Sequence, residues 1–158
     1  MVIVFYDGQC LFCESWVKTV IRNTHKDIRF APLQKLPSVW SEKLLTSKVP
    51  SMVVIDVEKG SYLFNARASI HIMKSCQSFV RLIGLVADRI PYGLVNLVYK
   101  FIGQNRHRIF GKKSECVMPT FVERAVFAFS DDEVARMLSM ADINLEELNN
   151  EIEKGMGY

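Results

Sequence analysis

Two cysteines lie three residues apart near the start of the chain, in the stretch "FYDGQCLFC" that covers residues 5–13. Cys10 and Cys13 could form a redox dithiol, supply half of a metal site, or fill space as two small buried side chains. A structural zinc site usually has a second close pair of Cys or His. The other candidate ligands stand singly: His25, His71, Cys76, His107 and Cys116. This favours the dithiol over the metal site and leaves the structural alternative open.

The residues around the pair predict an activated thiol at Cys10. Val2–Tyr6 is an apolar run typical of a buried strand, Asp7-Gly8 is a turn signal, and residues 11–23 have apolar positions at helical spacing. Cys10 therefore lies at or next to a helix N-cap. Unpaired N–H groups and the helix dipole there can lower a thiol pKa from about 8.5 to roughly 3.5–7.5. We expect Cys10 to be the exposed attacking thiol and Cys13, one turn later, the buried resolving thiol.

Two further residues are placed near the pair by this interpretation. Asp7 either assists proton transfer or bonds the backbone of its own turn, and its charge would raise a neighbouring thiol pKa. Pro50 enters the third predicted strand, in "KVPSMVVID". We expect a cis Val49-Pro50 bond beside the dithiol, with free backbone that pairs with an extended substrate. A trans turn proline is the alternative.

The order of elements predicts an α/β fold with a thioredoxin-like β-α-β-α-β-β-α core and a helical C-terminal extension. Strands are predicted at residues 2–6, 28–31, 51–57 and 61–64, and helices at 11–23, 38–47 and 67–77. The first three strands alternate with helices, as parallel units do, and the last two form a hairpin. Another small α/β layer would show the same order. Amphipathic helices follow at 79–89 and 92–103, and a helical hairpin at 130–154. In this hairpin, Ser130 with Glu133 and Asn144 with Glu147 have the spacing of a capping box.

Composition and charge bound the class of protein. The chain has 158 residues, 49% of them hydrophobic and 23% charged, which is typical of a globular domain. It opens without a secretory pattern, so we expect a reducing cytoplasm. The most apolar later stretch, residues 79–103, is interrupted by three Lys/Arg, one Asp and one Pro. Amphipathic helices are therefore a better interpretation than a membrane span.

The charge is unevenly distributed. Residues 1–130 hold 18 Lys/Arg and 9 Asp/Glu, whereas residues 131–158 hold 2 and 8. No acidic residue lies between Arg89 and Ser114, where Arg106, Arg108, Lys112 and Lys113 cluster. Such a face suits an anionic partner such as glutathione, an acidic protein or a phospholipid surface, and nucleic acid less well. The alternative is a solvated face that the acidic tail screens.

Two separated motifs resemble those of the DCC family of thiol–disulfide oxidoreductases. The family pattern D-x-x-C-x-x-C matches Asp7, Cys10 and Cys13. Its second motif, R-x-R-x-F-G followed by Cys and Pro-Thr, matches Arg106, Arg108, Phe110, Gly111, Cys116, Pro119 and Thr120. The resemblance covers about residues 1–120. It implies a thioredoxin-like fold and dithiol redox activity, and it favours a functional role for Asp7.

The sequence thus predicts a cytoplasmic thiol–disulfide oxidoreductase that exchanges with protein or small-molecule disulfides and holds no cofactor, with glutathione at most a co-substrate. Cys10, Cys13 and Asp7 are the catalytic candidates; substrate-binding candidates are Val49, Pro50, Arg106 and Arg108. Residues 1–120 would form the domain, with a core at 1–77 and a helical part at 78–120, and 121–158 an acidic helical extension. The alternatives are a non-catalytic metal- or partner-binding module and a glutathione-linked enzyme. Cys116 is either a third redox thiol or a buried hydrophobe, and Cys76 is expected in the core.

Overall fold

A computed structural model describes residues 1–25, 27–35, 52–111, 123–128, 130–140, 142 and 150. The strands are β1 (Val2–Tyr6), β2 (Ile28–Pro32), β3 (Met52–Asp56) and β4 (Ser61–Phe64). The α-helices are α1 (Leu11–Asn23), α2 (Asn65–Ser75), α3 (Ser78–Arg89), α4 (Tyr92–Phe110) and α5 (Asp131–Met140). Short 3₁₀ turns cover Leu33–Lys35 and Glu123–Val126. The predicted helix at 38–47 lies outside the described residues.

The four strands form one sheet in the order β2-β1-β3-β4. β1 is parallel to β2 and antiparallel to β3, and β3 is antiparallel to β4. The mixed α/β fold and its thioredoxin-like arrangement are confirmed, but the expectation that the first three strands are parallel is wrong for β3. Alternation of strands and helices along a chain does not fix strand direction. Here β3 joins the free edge of β1 and runs the opposite way.

The central strand β1 is buried on both faces, which explains its unbroken apolar sequence. Its alternate residues point to opposite sides. Val2, Val4 and Tyr6 pack with α1 and α2 residues. Ile3 and Phe5 pack with α5, whose Val134, Met137 and Leu138 are buried there. Helices therefore cover both faces of the sheet, and the turn that follows β1 opens directly onto the first turn of α1.

Helix α4 is longer than its sequence pattern indicates. α4 was expected to end at Gly103 but continues to Phe110, through most of the basic stretch, and Gly111 follows with a positive φ of 88°. A φ in that range suits glycine and ends a helix. In the described part of the chain, no helix has the length and apolar character needed to cross a bilayer.

The start of α5 confirms a predicted capping box. The Ser130 backbone N–H donates to Glu133 Oε2 at 3.0 Å, and the Glu133 N–H donates to Ser130 Oγ at 3.1 Å. The two bonds satisfy donors that a helix start otherwise leaves unpaired. The second predicted capping pair, Asn144 with Glu147, lies outside the described residues.

Candidate active site

Cys10 is the N-cap residue of α1, as predicted. Its backbone is extended, with φ −95° and ψ 114°, and its Sγ accepts a hydrogen bond from the Cys13 backbone N–H at 3.2 Å. The Cys10 N–H in turn donates to the Asp7 carbonyl at 3.2 Å, which closes the turn between β1 and α1. The sulfur thus occupies the position of a capping oxygen, where a negative charge is favoured.

Asp7 stabilises this turn and also links it to residues that are distant in sequence. Its side chain is buried, and Oδ1 accepts hydrogen bonds from the Gln9 N–H at 3.1 Å and from Gln34 Nε2 at 2.9 Å. Oδ2 accepts from Arg106 Nη2 at 2.8 Å. The bond to Gln9 is the local turn role; those to Gln34 and Arg106 join β2 and α4 to the same carboxylate.

Gln34 is a site residue that sequence analysis missed. It follows β2, and besides donating to Asp7 it accepts a hydrogen bond from the Gly8 N–H through Oε1 at 3.1 Å. One signal could have found it. Parallel strands end at the same edge of a sheet, so a polar residue just after β2 lies beside the turn after β1.

Arg106 lies at the site, but as an internal partner rather than on an open cationic face. Its side chain is 13% exposed and ion-paired with Asp7, and Nη1 donates to the Gly103 carbonyl at 3.2 Å. Arg108, two residues along α4, is exposed. The structure therefore separates these two arginines, which the sequence grouped as one surface. Val49, Pro50, Lys112, Lys113 and Cys116 lie outside the described residues.

The pKa values of the two thiols are shifted in opposite directions. The pKa of Cys10 is lowered from an ordinary 9.0 to about 7, first by the hydrogen bond from the Cys13 thiol, then by the Cys13 N–H and the charge of Arg106. Burial and the Asp7 carboxylate oppose this shift. The pKa of Cys13 is raised well above its ordinary value, first by its bond to Cys10 and then by burial. One sulfur is therefore readied as a thiolate and the other held as a thiol.

The pKa of Asp7 is also perturbed. Burial acts to raise it, but the hydrogen bonds from Gln34 and Gln9, together with the charge and hydrogen bond of Arg106, hold it below its ordinary 3.8. Asp7 is consequently a carboxylate at neutral pH.

The expectation that Cys10 is the exposed thiol is wrong. Cys10 is 1% exposed and Cys13 6%. The end of α4 lies over the residues between them: the Phe110 ring stacks on Phe12 with centroids 4.7 Å apart, and Gly111 lies against Leu11. The apolar pair Leu11-Phe12 therefore packs against the protein's own helix.

A cavity of about 230 Å³ lies next to Cys13. Most of its lining is apolar, from α1 (Phe12, Trp16), β3 (Met52) and α4 (Tyr99, Ile102), and Arg106 contributes a charged group. Cavities of this kind, with few polar groups beside perturbed titratable residues, are where ligands commonly bind.

The candidate metal ligands that the structure describes do not form a cluster. Among the described residues, no group of three or more His, Cys, Asp or Glu side chains is placed to hold a metal ion. Cys76 is buried in the core, as predicted, and burial raises its pKa.

One of the comparisons with known proteins identifies a family. A family model described as DCC1-like thiol-disulfide oxidoreductase matches residues 4–112, which include every member of the site described above. An uncharacterized protein of Bacillus subtilis (strain 168), YuxK, is 31% identical over 125 residues, which are 75% of this chain and 87% of that protein. No solved structure matches the chain. The chain belongs to the DCC1-like thiol-disulfide oxidoreductase family.

Proposed function

We propose that the protein exchanges thiols and disulfides through Cys10 and Cys13, with protein or small-molecule disulfides as substrates and a reducing cytoplasm as its compartment. One observation carries the proposal. The Cys10 sulfur caps α1, and its pKa of about 7 lies below that of an ordinary thiol, while its hydrogen-bonded neighbour Cys13 holds its proton. A thiolate fraction near neutral pH is what disulfide exchange requires.

The reaction has two steps. The Cys10 thiolate attacks one sulfur of the substrate disulfide, the substrate S–S bond breaks, and the departing thiolate takes up a proton. Cys13 then loses its proton and attacks the Cys10 sulfur of the mixed disulfide. The second substrate sulfur leaves as a thiol, the substrate is reduced by two electrons, and Cys10–Cys13 is left as a disulfide. Relative reduction potentials set the direction, so the same steps run backwards on a dithiol substrate.

Arg106 and Asp7 have distinct proposed roles. The Arg106 guanidinium favours the Cys10 thiolate by its charge. Asp7 opposes that thiolate, but it holds Arg106 in place through a 2.8 Å hydrogen bond. A carboxylate with a lowered pKa is a weak proton acceptor, so we assign Asp7 a positioning role in place of the proton transfer suggested by its spacing.

The cavity beside Cys13 favours substrates with an apolar group next to the disulfide. Its lining is largely apolar, and the charge of Arg106 is already balanced by Asp7. This supports an apolar segment of a protein over the carboxylates of glutathione as the preferred occupant. We also propose that the backbone at Val49 and Pro50 pairs with an extended segment of the substrate.

A trapping experiment tests the proposal. Without the resolving thiol, the mixed disulfide on Cys10 should persist. Reduced Cys13→Ser protein, mixed with a disulfide-linked fluorescent peptide that carries an aromatic side chain, should form an adduct at Cys10 that a reductant releases. Cys10→Ser should form none, and Cys76→Ser, which alters a buried thiol outside the site, should behave as the wild type.

The pH dependence of Cys10 alkylation, read by mass spectrometry on the wild type, provides the second measurement. We expect a midpoint at about pH 7 and much slower labelling of Cys13. No adduct on Cys13→Ser, together with midpoints near 9 for both thiols, would contradict the proposal.

A further inference from the structure

Exposed apolar side chains are concentrated on two helices. Of the fourteen large hydrophobic side chains that are exposed in the described part of the chain, thirteen lie between residues 79 and 110. On each helix, four of them recur at the spacing i, i+3, i+4, i+7, which places them on one face. We call these eight residues the outer stripes: Phe79, Leu82, Ile83 and Val86 on α3, and Leu94, Leu97, Val98 and Phe101 on α4.

The fold uses the opposite sides of these helices. α3 approaches α2 at Gly84, where a Cβ would lie 2.8 Å from the Lys74 nitrogen. α4 turns Tyr99, Ile102 and Arg106 toward the cavity beside the dithiol. The outer stripes are 43–70% exposed. An apolar stripe ordinarily faces the core of a protein, and exposed apolar patches of this kind mark interaction surfaces.

The charges on these two helices are mostly positive. Residues 78–110 hold five Lys/Arg and one Asp/Glu. Arg106 pairs with Asp7, and Asp88 pairs with Lys74 at 2.5 Å. The other four cations are Arg81, Arg89, Lys100 and Arg108, and none of them is ion-paired with a described residue. The partner of this surface should therefore be apolar and anionic. A second copy of the chain would bring like charges together, which disfavours self-association.

We propose that α3 and α4 dock the protein on an anionic phospholipid surface. The outer stripes enter the boundary between headgroups and acyl chains, while Arg89, Lys100 and Arg108 meet the lipid phosphates and carboxylates. Amphipathic helices with Leu and Phe on one face and Lys or Arg beside them bind bilayers in this way without crossing them. This inference concerns the sides of α3 and α4 that face away from the core and does not depend on the proposed reaction.

Vesicle co-sedimentation of the full chain tests the proposal. We expect binding to phosphatidylcholine vesicles that contain phosphatidylserine, much weaker binding to phosphatidylcholine alone, and release by added salt. Leu97→Gln with Phe101→Gln should abolish binding. Arg89→Gln and Arg108→Gln should each weaken binding about fivefold, because each removes the attraction of one cation to an anionic leaflet.

The controls change exposed side chains on other helices. Met140→Gln removes a 79% exposed apolar side chain from α5, and Arg22→Gln removes an exposed cation from α1; both variants should bind as the wild type does. Circular dichroism should show all variants folded, because every changed side chain points to solvent. Three results would overturn the proposal: equal binding to both vesicle types, no binding to either, or equal losses in the control variants. A dimer in sedimentation velocity that Leu97→Gln with Phe101→Gln abolishes would overturn it too, in favour of self-association.

Discussion

Arg106 reaches the turn before α1 from the far end of α4, and its guanidinium serves two groups there. It neutralises the buried Asp7 carboxylate at 2.8 Å, and its charge favours ionisation of Cys10. Removing one member of a buried ion pair leaves the other uncompensated, which typically costs about 3–5 kcal/mol. The arginine thus links stability and thiol chemistry in a single contact.

We predict that Arg106→Gln raises the pH midpoint of Cys10 alkylation above about 7, because the cation that favours the thiolate is lost while the opposing Asp7 charge stays. The same change should lower the free energy of unfolding by about 3 kcal/mol. The pH dependence of Cys10 alkylation measures the first effect, and urea unfolding of the reduced protein measures the second.

Arg108→Gln is the matched control for this prediction, since it removes an exposed arginine from the same helix. It should leave the pH midpoint of Cys10 alkylation unchanged and change the free energy of unfolding by no more than about 0.5 kcal/mol. If both variants shift the midpoint equally, the effect comes from the net charge of α4 and the specific role of Arg106 is wrong.

The lowered pKa of Asp7 predicts that the folded state loses stability in acid. The folded pKa of Asp7 lies below 3.8, so its carboxylate stabilises the folded state above the unfolded pKa, and that contribution is lost as pH falls through the folded value. Asp7→Asn should therefore be less stable than the wild type at pH 6, with the gap narrowing below about pH 4. Urea midpoints measured from pH 6 to pH 3 check this; a constant gap would contradict it.

Among the elements, α3 makes an unusually close approach to α2 at Gly84. The position of a Gly84 Cβ would be 2.8 Å from Met73 Cβ and from the Lys74 backbone nitrogen, a separation that real Cβ atoms do not adopt. The two helices pack this closely because residue 84 has no side chain.

We predict that Gly84→Ala destabilises the protein by about 1–3 kcal/mol, because backbone atoms of α2 must shift. Gly93→Ala is the control, since a Cβ there would meet nothing within 4 Å and alanine favours the helix. Thermal unfolding of both variants separates the crowding effect from helix propensity. A stabilised Gly84→Ala would show that α3 does not pack as described.

Local sequence patterns predicted some element boundaries and missed others for physical reasons. The limits of β1 and α1 followed from an apolar run, a turn signal and helical spacing, all within the first 23 residues. The end of α4 was missed because residues 104–108 are all polar or basic, and contacts with α1 such as that of Phe110 with Phe12 hold the last turns of the helix. The direction of β3 was missed because the alternation of strands and helices along the chain does not fix it.

In the active site too, features set by neighbours in sequence were predictable and features set by distant contacts were not. Cys10 at the helix cap was predictable, because caps are set by neighbours in sequence. The pairing of Asp7 with Arg106 spans 99 residues, and no local pattern indicates which arginine of the basic stretch turns inward. The burial of Cys10 was missed for the same reason.

Across the whole molecule, the C-terminal part shares the core of the sheet. Leu138 is 5% exposed in a cluster with Ile3 and Phe5 of β1, and the Ala128 N–H donates to the Phe30 carbonyl of β2 at 2.8 Å. The boundary after residue 120 stays a prediction drawn from charge and motif limits, but α5 contributes packing to β1 itself.

We predict that Leu138→Ala lowers the free energy of unfolding by about 2–4 kcal/mol, since it opens a cavity against the sheet. Met140→Ala, on the same helix but 79% exposed, should change it by less than about 0.5 kcal/mol. Urea unfolding monitored by circular dichroism checks both. Equal and small effects would mean that α5 adds little to the core.

The 99-residue span of the Asp7–Arg106 pair also bears on how each molecule is made. A ribosome adds about 5–20 residues per second, so both cysteines precede their arginine by about 5 to 20 s. During that interval the nascent dithiol has neither the cation that favours Cys10 ionisation nor the helix that ends over Phe12. A newly begun chain therefore lacks one of the contributions that lower the pKa of Cys10, and the cover that α4 provides over Phe12, until translation has passed α4.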